Sequence, residues 1–174
     1  MKINKVDFYC GAFLSYLITN KVEPTLFEAG EKSKILRFSI KETDYKAFLK
    51  YSTVPKTSTT GKKASTKWDA NFTEKEIELL SVFPERGREN VVVLVCTDAD
   101  MKDTFFTILT YEEAKICLGT DDVNKQKRIS VSHLKSSPYI TCYGTALSDI
   151  KALQKRYNAD MFFEFKEVTT NDKT

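Results

Sequence analysis

The chain is short of the residues on which most metal- and cofactor-dependent enzymes rely. It has a single histidine, His133, and four widely spaced cysteines (Cys10, Cys96, Cys117, Cys142) that form no C-x-x-C pair, so a Cys/His zinc site lacks its ligand set. Its six glycines are scattered, and no P-loop, dinucleotide fingerprint or nucleophile elbow can be assembled from them. No cofactor is expected, and the common small-molecule cofactor classes are set aside. Long apolar runs are missing as well, since none approaches the ~20 residues that span a bilayer. The N-terminal stretch is broken by Asp7, Tyr9, Ser15 and Tyr16 and has no small-residue cleavage site, so it reads as a first amphipathic helix rather than a signal peptide. The expectation is a cytoplasmic protein with no membrane partner, its cysteines buried and reduced.

What is present suits one soluble domain. The 174 residues are 41% hydrophobic and 29% charged, ordinary values for a chain that closes one core. Net charge is +3 but uneven: residues 1–68 carry 13 Lys/Arg against 6 Asp/Glu, and residues 69–174 carry 14 against 18. A basic N-terminal half of this kind suits a polyanion such as DNA or RNA, whereas the acidic half and exposed aromatics suit a protein partner or a second copy.

Hydrophobic periodicity places the elements. Val6, Cys10, Phe13, Leu14, Leu17 and Ile18 recur at helical spacing over residues 5–20. Thr25–Ala29 is a short strand, and Lys34–Ile40 and Tyr45–Tyr51 make a hairpin around the polar turn Lys41–Asp44. Residues 55–67 contain no acidic residue and read as a flexible basic loop. Thr73 and Glu76 form a capping box for a helix that ends near Phe83, and Thr110 and Glu113 form another for a helix stopped by Gly119. Asn90–Cys96, a continuous β-branched run, is a strand buried on both faces, and Asp103–Leu109 is a further strand. Arg128–Leu134 and Tyr139–Tyr143 form a hairpin. Ser148–Tyr157 reads as a helix, Met161–Lys166 as a last strand, and residues 168–174 as a disordered tail. The sum is a single α+β domain over residues 1–167, with one mixed sheet flanked by about four helices.

Four features carry candidate chemistry. Lys50 sits on the third strand. Lys56, Lys62, Lys63 and Lys67 punctuate the hydroxyl-rich loop, with Tyr51 and Trp68 at its ends, a composition that can neutralise phosphates and stack on bases. Asp98-Ala-Asp100 follows the buried strand and reads as a solvated acidic turn. His133 shares a strand face with Ile129 and Val131 and reads as a packed or edge residue, because a Cys142–His133 dyad lacks an orienting third group.

The opening order of a helix, a three-stranded meander, a second helix and a buried strand resembles the core of PD-(D/E)XK nucleases, a restriction-endonuclease-like fold. The resemblance implies a metal-dependent nuclease in which acidic residues hold Mg²⁺ and a lysine on the third strand steadies the attacking water. Lys50 stands where that lysine belongs. Phe48 stands where the family has its acid, and Lys34–Arg37 offers no second acid, so a catalytic site would have to be built from Glu28, Asp44 and Lys50. A second resemblance is to small uncharacterised bacterial proteins, carried by Asp7-Phe8, Gly11-Ala12, Leu14-Ser15, Pro24, Leu26-Phe27-Glu28 and Lys50-Tyr51-Ser52. The setting it suggests is bacterial phage defence. The leading expectation is a nucleic-acid-associated protein with a nuclease-like core and no working catalytic site. A non-catalytic subunit that docks on another protein is the second, and an active Mg²⁺-dependent nuclease the third.

Overall fold

Helix α1 (Lys5–Thr19) opens the chain and leads into a meander of three antiparallel strands, β1 (Pro24–Ala29), β2 (Lys34–Ile40) and β3 (Thr43–Ser52). The computed structural model describes residues 2–29, 34–59, 64–119 and 126–157. After β3 the chain makes β4 (Lys56–Ser58), β5 (Ser65–Phe72) and helix α2 (Glu74–Ser81), then β6 (Glu89–Cys96) and β7 (Phe105–Thr110). Helix α3 (Tyr111–Leu118), the hairpin β8 (Lys127–Leu134) and β9 (Tyr139–Gly144), a 3-10 turn (Asp149–Lys151) and β10 (Leu153–Arg156) complete an α+β fold.

There are two five-stranded sheets where one is expected from the sequence. The first, in the order β1-β2-β3-β6-β7, is mixed: β3 and β6 run parallel and every other pair is antiparallel. Parallel neighbours need a crossover, and this crossover leaves the first sheet to build β4 and β5 before returning through α2. The second sheet, β10-β9-β8-β5-β4, is antiparallel throughout.

The Val-rich run of β6 explains how the layers stack. Val91, Val93 and Val95 face α1, joining Val6, Cys10, Phe13 and Leu17 in one apolar cluster, while Val92, Leu94 and Cys96 face the second sheet, α2 and α3 in another. A strand covered on both faces has no polar face to present, so it reads as continuous hydrophobic sequence. Lys34 of β2, almost fully buried, reaches Asp7 of α1 at 2.7 Å and ties the helix to the meander. The Lys34 hydrogen bond is the main reason that the Asp7 carboxyl lies below its ordinary pKa.

Both capping boxes form, with Thr73 and Thr110 accepting from the backbone N–H of Glu76 and Glu113. Gly119 ends α3 at φ +78°, in the left-handed region that a residue with a Cβ enters at a cost. Three expectations need correction. The flexible loop 55–67 is in part strand: Lys56–Ser58 is β4, and Ser65 already belongs to β5, in which Trp68, Ala70 and Phe72 alternate into the core. The helix expected over Ser148–Tyr157 is instead a 3-10 turn followed by β10, because Leu153–Arg156 pairs with Tyr139–Cys142 of β9. The described residues therefore hold three α-helices rather than about four. The strand expected at Met161–Lys166 and the tail at 168–174 lie outside the described residues, as do Lys62 and Lys63 of the basic loop. No helix among the described residues is long and apolar enough to cross a membrane.

Candidate functional site

A cleft of about 390 Å³ opens at the carboxyl end of β3, the strand that runs parallel to β6, lined by Lys50–Val54, Lys56, Asp69, Asn71 and Arg128. The carboxyl ends of parallel strands are a recurrent place for ligands, because side chains and loops converge there without a strand continuing across. Three elements supply the polar wall. Strand β5 presents Lys67, Asp69 and Asn71 on the face opposite its buried Trp68, Ala70 and Phe72, and β8 sets Arg128 opposite Asn71 and Ser130 opposite Asp69. Strand β4 brings in Lys56, opposite Lys67.

Asp69 is the centre of this wall. It accepts hydrogen bonds from Ser130 Oγ at 2.7 Å and Lys56 Nζ at 2.9 Å, with Lys67 Nζ at 3.3 Å and Arg128 Nε at 3.8 Å. Burial opposes its charge, but the bonds from Ser130 and Lys56 and the Lys67 ammonium outweigh that penalty and hold the carboxyl at about 2. Three cations thus share one carboxylate. The Lys67 ammonium also lies over the Tyr143 ring, 5.4 Å from its centroid.

The depressed Asp69 pKa has a stability consequence whose sign is fixed. Unfolded, the carboxyl titrates near its usual value of about 4. The stabilisation is fully present above that pH and is lost as pH falls through the folded-state value of about 2. Asp69→Asn is expected to lower stability at neutral pH by about 2 kcal/mol and to flatten the acid limb of the stability curve between about pH 4 and 2. Urea unfolding across that range checks both, and an unchanged acid limb would contradict the assignment.

Lys50 enters the cleft from below and is already occupied. Its ammonium lies 2.7 Å from both carboxylate oxygens of Glu76, and both side chains are nearly inaccessible, at 6% and 7% exposure. Glu76 is the acid of the α2 capping box, and its Oε2 also accepts from the Thr73 backbone N–H and hydroxyl. The third-strand lysine is therefore clamped to the first turn of α2, with its charge balanced. Nothing in the sequence around Lys50 points to that partner, which lies 26 positions away.

The other residues of the expected catalytic set do not gather around it. Asp44 accepts a hydrogen bond from Ser39 at the opposite end of β3. Lys50 lies six positions further along the strand, about 20 Å at the usual rise. The Glu28 backbone pairs with Ile35, which pairs with Phe48, so Glu28 sits two strands from β3, about 10 Å to the side. Phe48 is fully buried against Phe72 and Phe83. A Mg²⁺ site needs convergent carboxylates, and no group of three or more His, Cys, Asp or Glu among the described residues could hold a metal. The described residues do not fit the ion that the nuclease resemblance implies.

The remaining candidates have simple placements. Trp68 is in the core, donating from Nε1 to the Thr97 carbonyl at 3.0 Å and packing edge-on to Phe105, so it offers no stacking face at the loop end. Asp98 caps its own turn by accepting from the Lys102 backbone N–H, and Asp100 is solvated. His133 stacks on Tyr157 with centroids 3.9 Å apart and has Nε2 2.9 Å from the Ser137 carbonyl. All four cysteines are buried and unpaired in disulfides. Burial pushes the Cys10 and Cys96 thiols up to about 12 and Cys117 to about 11, and raises Cys142 as well, so none supplies a thiolate nucleophile at neutral pH.

Asp69, Arg128 and Asn71 escape a reading of the sequence alone. Their only signal is the alternation Trp68-x-Ala70-x-Phe72, which marks a strand whose other face must carry Lys67, Asp69 and Asn71. The molecule defined by this fold and cleft is an α+β protein with a cationic crevice. No protein-family model, curated protein or solved structure matches the chain.

Proposed function

We propose that the protein binds nucleic acid through its phosphates at the β3–β5–β8 cleft and does not cut it. The observation that carries this reading is the charge at the crevice: Lys56 and Arg128 of its lining, with Lys67 beside them, converge on the single carboxylate of Asp69. An excess of positive charge held in place before a ligand arrives favours a polyanion, whose condensed counterions are released on binding. Asp69 holds the three cations in place and neutralises only one of their charges. Lys56, the most exposed of the three, stands at the rim, where a backbone phosphate can reach it.

Two further features support a nuclease-like core that has no working site. The elements α1, β1–β2–β3, α2 and β6 follow one another in that order, with β4 and β5 of the second sheet inserted before α2, and β3 and β6 are adjacent and parallel. Lys50 is bound to Glu76 instead of facing a substrate, and Asp44 lies at the far end of its strand. The phage-defence setting rests on the sequence resemblance alone.

The test is binding of a labelled oligonucleotide, followed by fluorescence anisotropy. Affinity should fall steeply between about 50 and 200 mM salt, because each phosphate contact adds close to one unit to the log–log slope. Lys56→Glu combined with Arg128→Gln should weaken binding at least tenfold at low salt while the variant keeps its far-UV circular dichroism. Absence of binding at low salt, or binding indifferent to those substitutions, overturns the proposal.

A further inference from the structure

Beside the cationic cleft lies a run of aromatic rings that the phosphate contacts do not use. Tyr51 belongs to the cleft lining, at the end of β3. Its ring stacks on Tyr9 of α1, with centroids 5.0 Å apart and planes 27° from parallel. Tyr9 in turn meets Phe8 edge-on at 5.4 Å, and Phe8 is 54% exposed. Both tyrosines are only half-buried. Val54, also in the lining, adds an apolar lip that is 73% exposed. Phe8, packed edge-on against Tyr9, thus extends the run of rings from the crevice out to solvent.

Resting on the phosphate-binding reading above, we infer that the ligand is single-stranded nucleic acid, with a backbone phosphate in the cleft and an unpaired base against the Tyr51–Tyr9–Phe8 run. The argument is one of accessible surfaces. In a duplex the faces of the bases are stacked on one another, and a protein meets only phosphates, sugars and base edges. Aromatic side chains gain from a nucleic acid when bases are splayed out and present their faces. The crevice is also small: about 390 Å³ accommodates a nucleotide-sized group at the bottom of the scale for small-ligand sites. A cationic groove that follows the backbone, flanked by rings on which bases stack, is the arrangement that tolerates any sequence, because every base has a π-face. The ligand is therefore expected to be chosen by strandedness rather than by sequence.

The experiment compares labelled single strands of about 12 nucleotides, one DNA and one RNA, with the matching DNA duplex at one salt concentration, using the full chain. The single strands should bind about tenfold or more tightly than the duplex. Phe8→Ala, an exposed substitution that removes no core contact, should weaken single-strand binding roughly fivefold to tenfold and leave residual duplex binding unchanged. Tyr51→Leu should act in the same direction, and Lys56→Glu should weaken single strands and duplex alike. Equal or tighter duplex binding, or single-strand affinity indifferent to Phe8→Ala, overturns the inference. If Lys56→Glu still weakens both ligands in that case, the phosphate-binding reading survives its loss. If no oligonucleotide binds, both fall.

Discussion

Replacing Glu76 with leucine is expected to destabilise the fold by about 3–5 kcal/mol, the cost of leaving the partner of a buried ion pair uncompensated. The Lys50 ammonium is nearly inaccessible and has both Glu76 oxygens at 2.7 Å, so its removal from water is tolerable only while that carboxylate is present. Glu76→Leu also takes away the acid of the α2 capping box, worth about 1 kcal/mol by itself. The double variant Lys50→Met/Glu76→Leu separates the two effects. It loses the cap but leaves no buried charge, and it should recover most of the stability, because apolar replacements of a buried pair are often neutral or better. Urea unfolding of the two variants decides the matter. A single variant within about 1 kcal/mol of the parent, or a double variant no more stable than the single, would mean that the pair is effectively solvated and contributes little.

Phe48→Ala is expected to cost a similar amount, about 3–5 kcal/mol, through lost burial and the cavity left behind. Phe48 is fully buried in the first sheet, its ring 6.2 Å from Phe72 and 5.8 Å from Phe83, so it joins β3, β5 and the end of α2. The same position tests the nuclease resemblance directly. Phe48→Glu puts an acid two residues before Lys50, as the family pattern has it. In this fold the carboxylate would enter an aromatic cluster whose two neighbouring ammoniums, Lys46 over the Phe83 ring and Lys50 over the Phe72 ring, are already engaged by the Phe83 carbonyl and by Glu76. It is expected to be at least as destabilising as alanine and to produce no Mg²⁺-dependent cleavage. A stable Phe48→Glu protein that cuts DNA or RNA with Mg²⁺ would show that the cluster opens to water and metal.

Much of the fold was legible because its signals are local. Thr73 with Glu76 and Thr110 with Glu113 are three residues apart, and each pair settles a helix start by its own hydrogen bonds. The hairpins β2–β3 and β8–β9 are short-range pairings between alternating segments. The errors fall where a distant partner decides. Leu153–Arg156 has the spacing of a helix end, yet the open edge of β9 takes it as a strand. In β5 the alternation of Trp68, Ala70 and Phe72 was visible, but the lysine- and threonine-rich residues before it read as loop, and a second sheet to receive the strand could not be inferred from them.

The candidate site shows the same division. The sequence alone determined that the basic charge lies in the N-terminal half and that Lys50 stands on an apolar strand beside a hydroxyl-rich segment. Composition and period suffice for such statements, since each depends on neighbours along the chain. Only the tertiary structure decided what those residues face. The crossover between β3 and β6 carries Glu76 to Lys50, converting a candidate catalytic lysine into half of a buried pair. The pairing of β5 with β4 and β8 gathers Lys56, Lys67 and Arg128 around Asp69. Burial and charge convergence are properties of packed neighbours, and here those neighbours are set by long-range strand pairing.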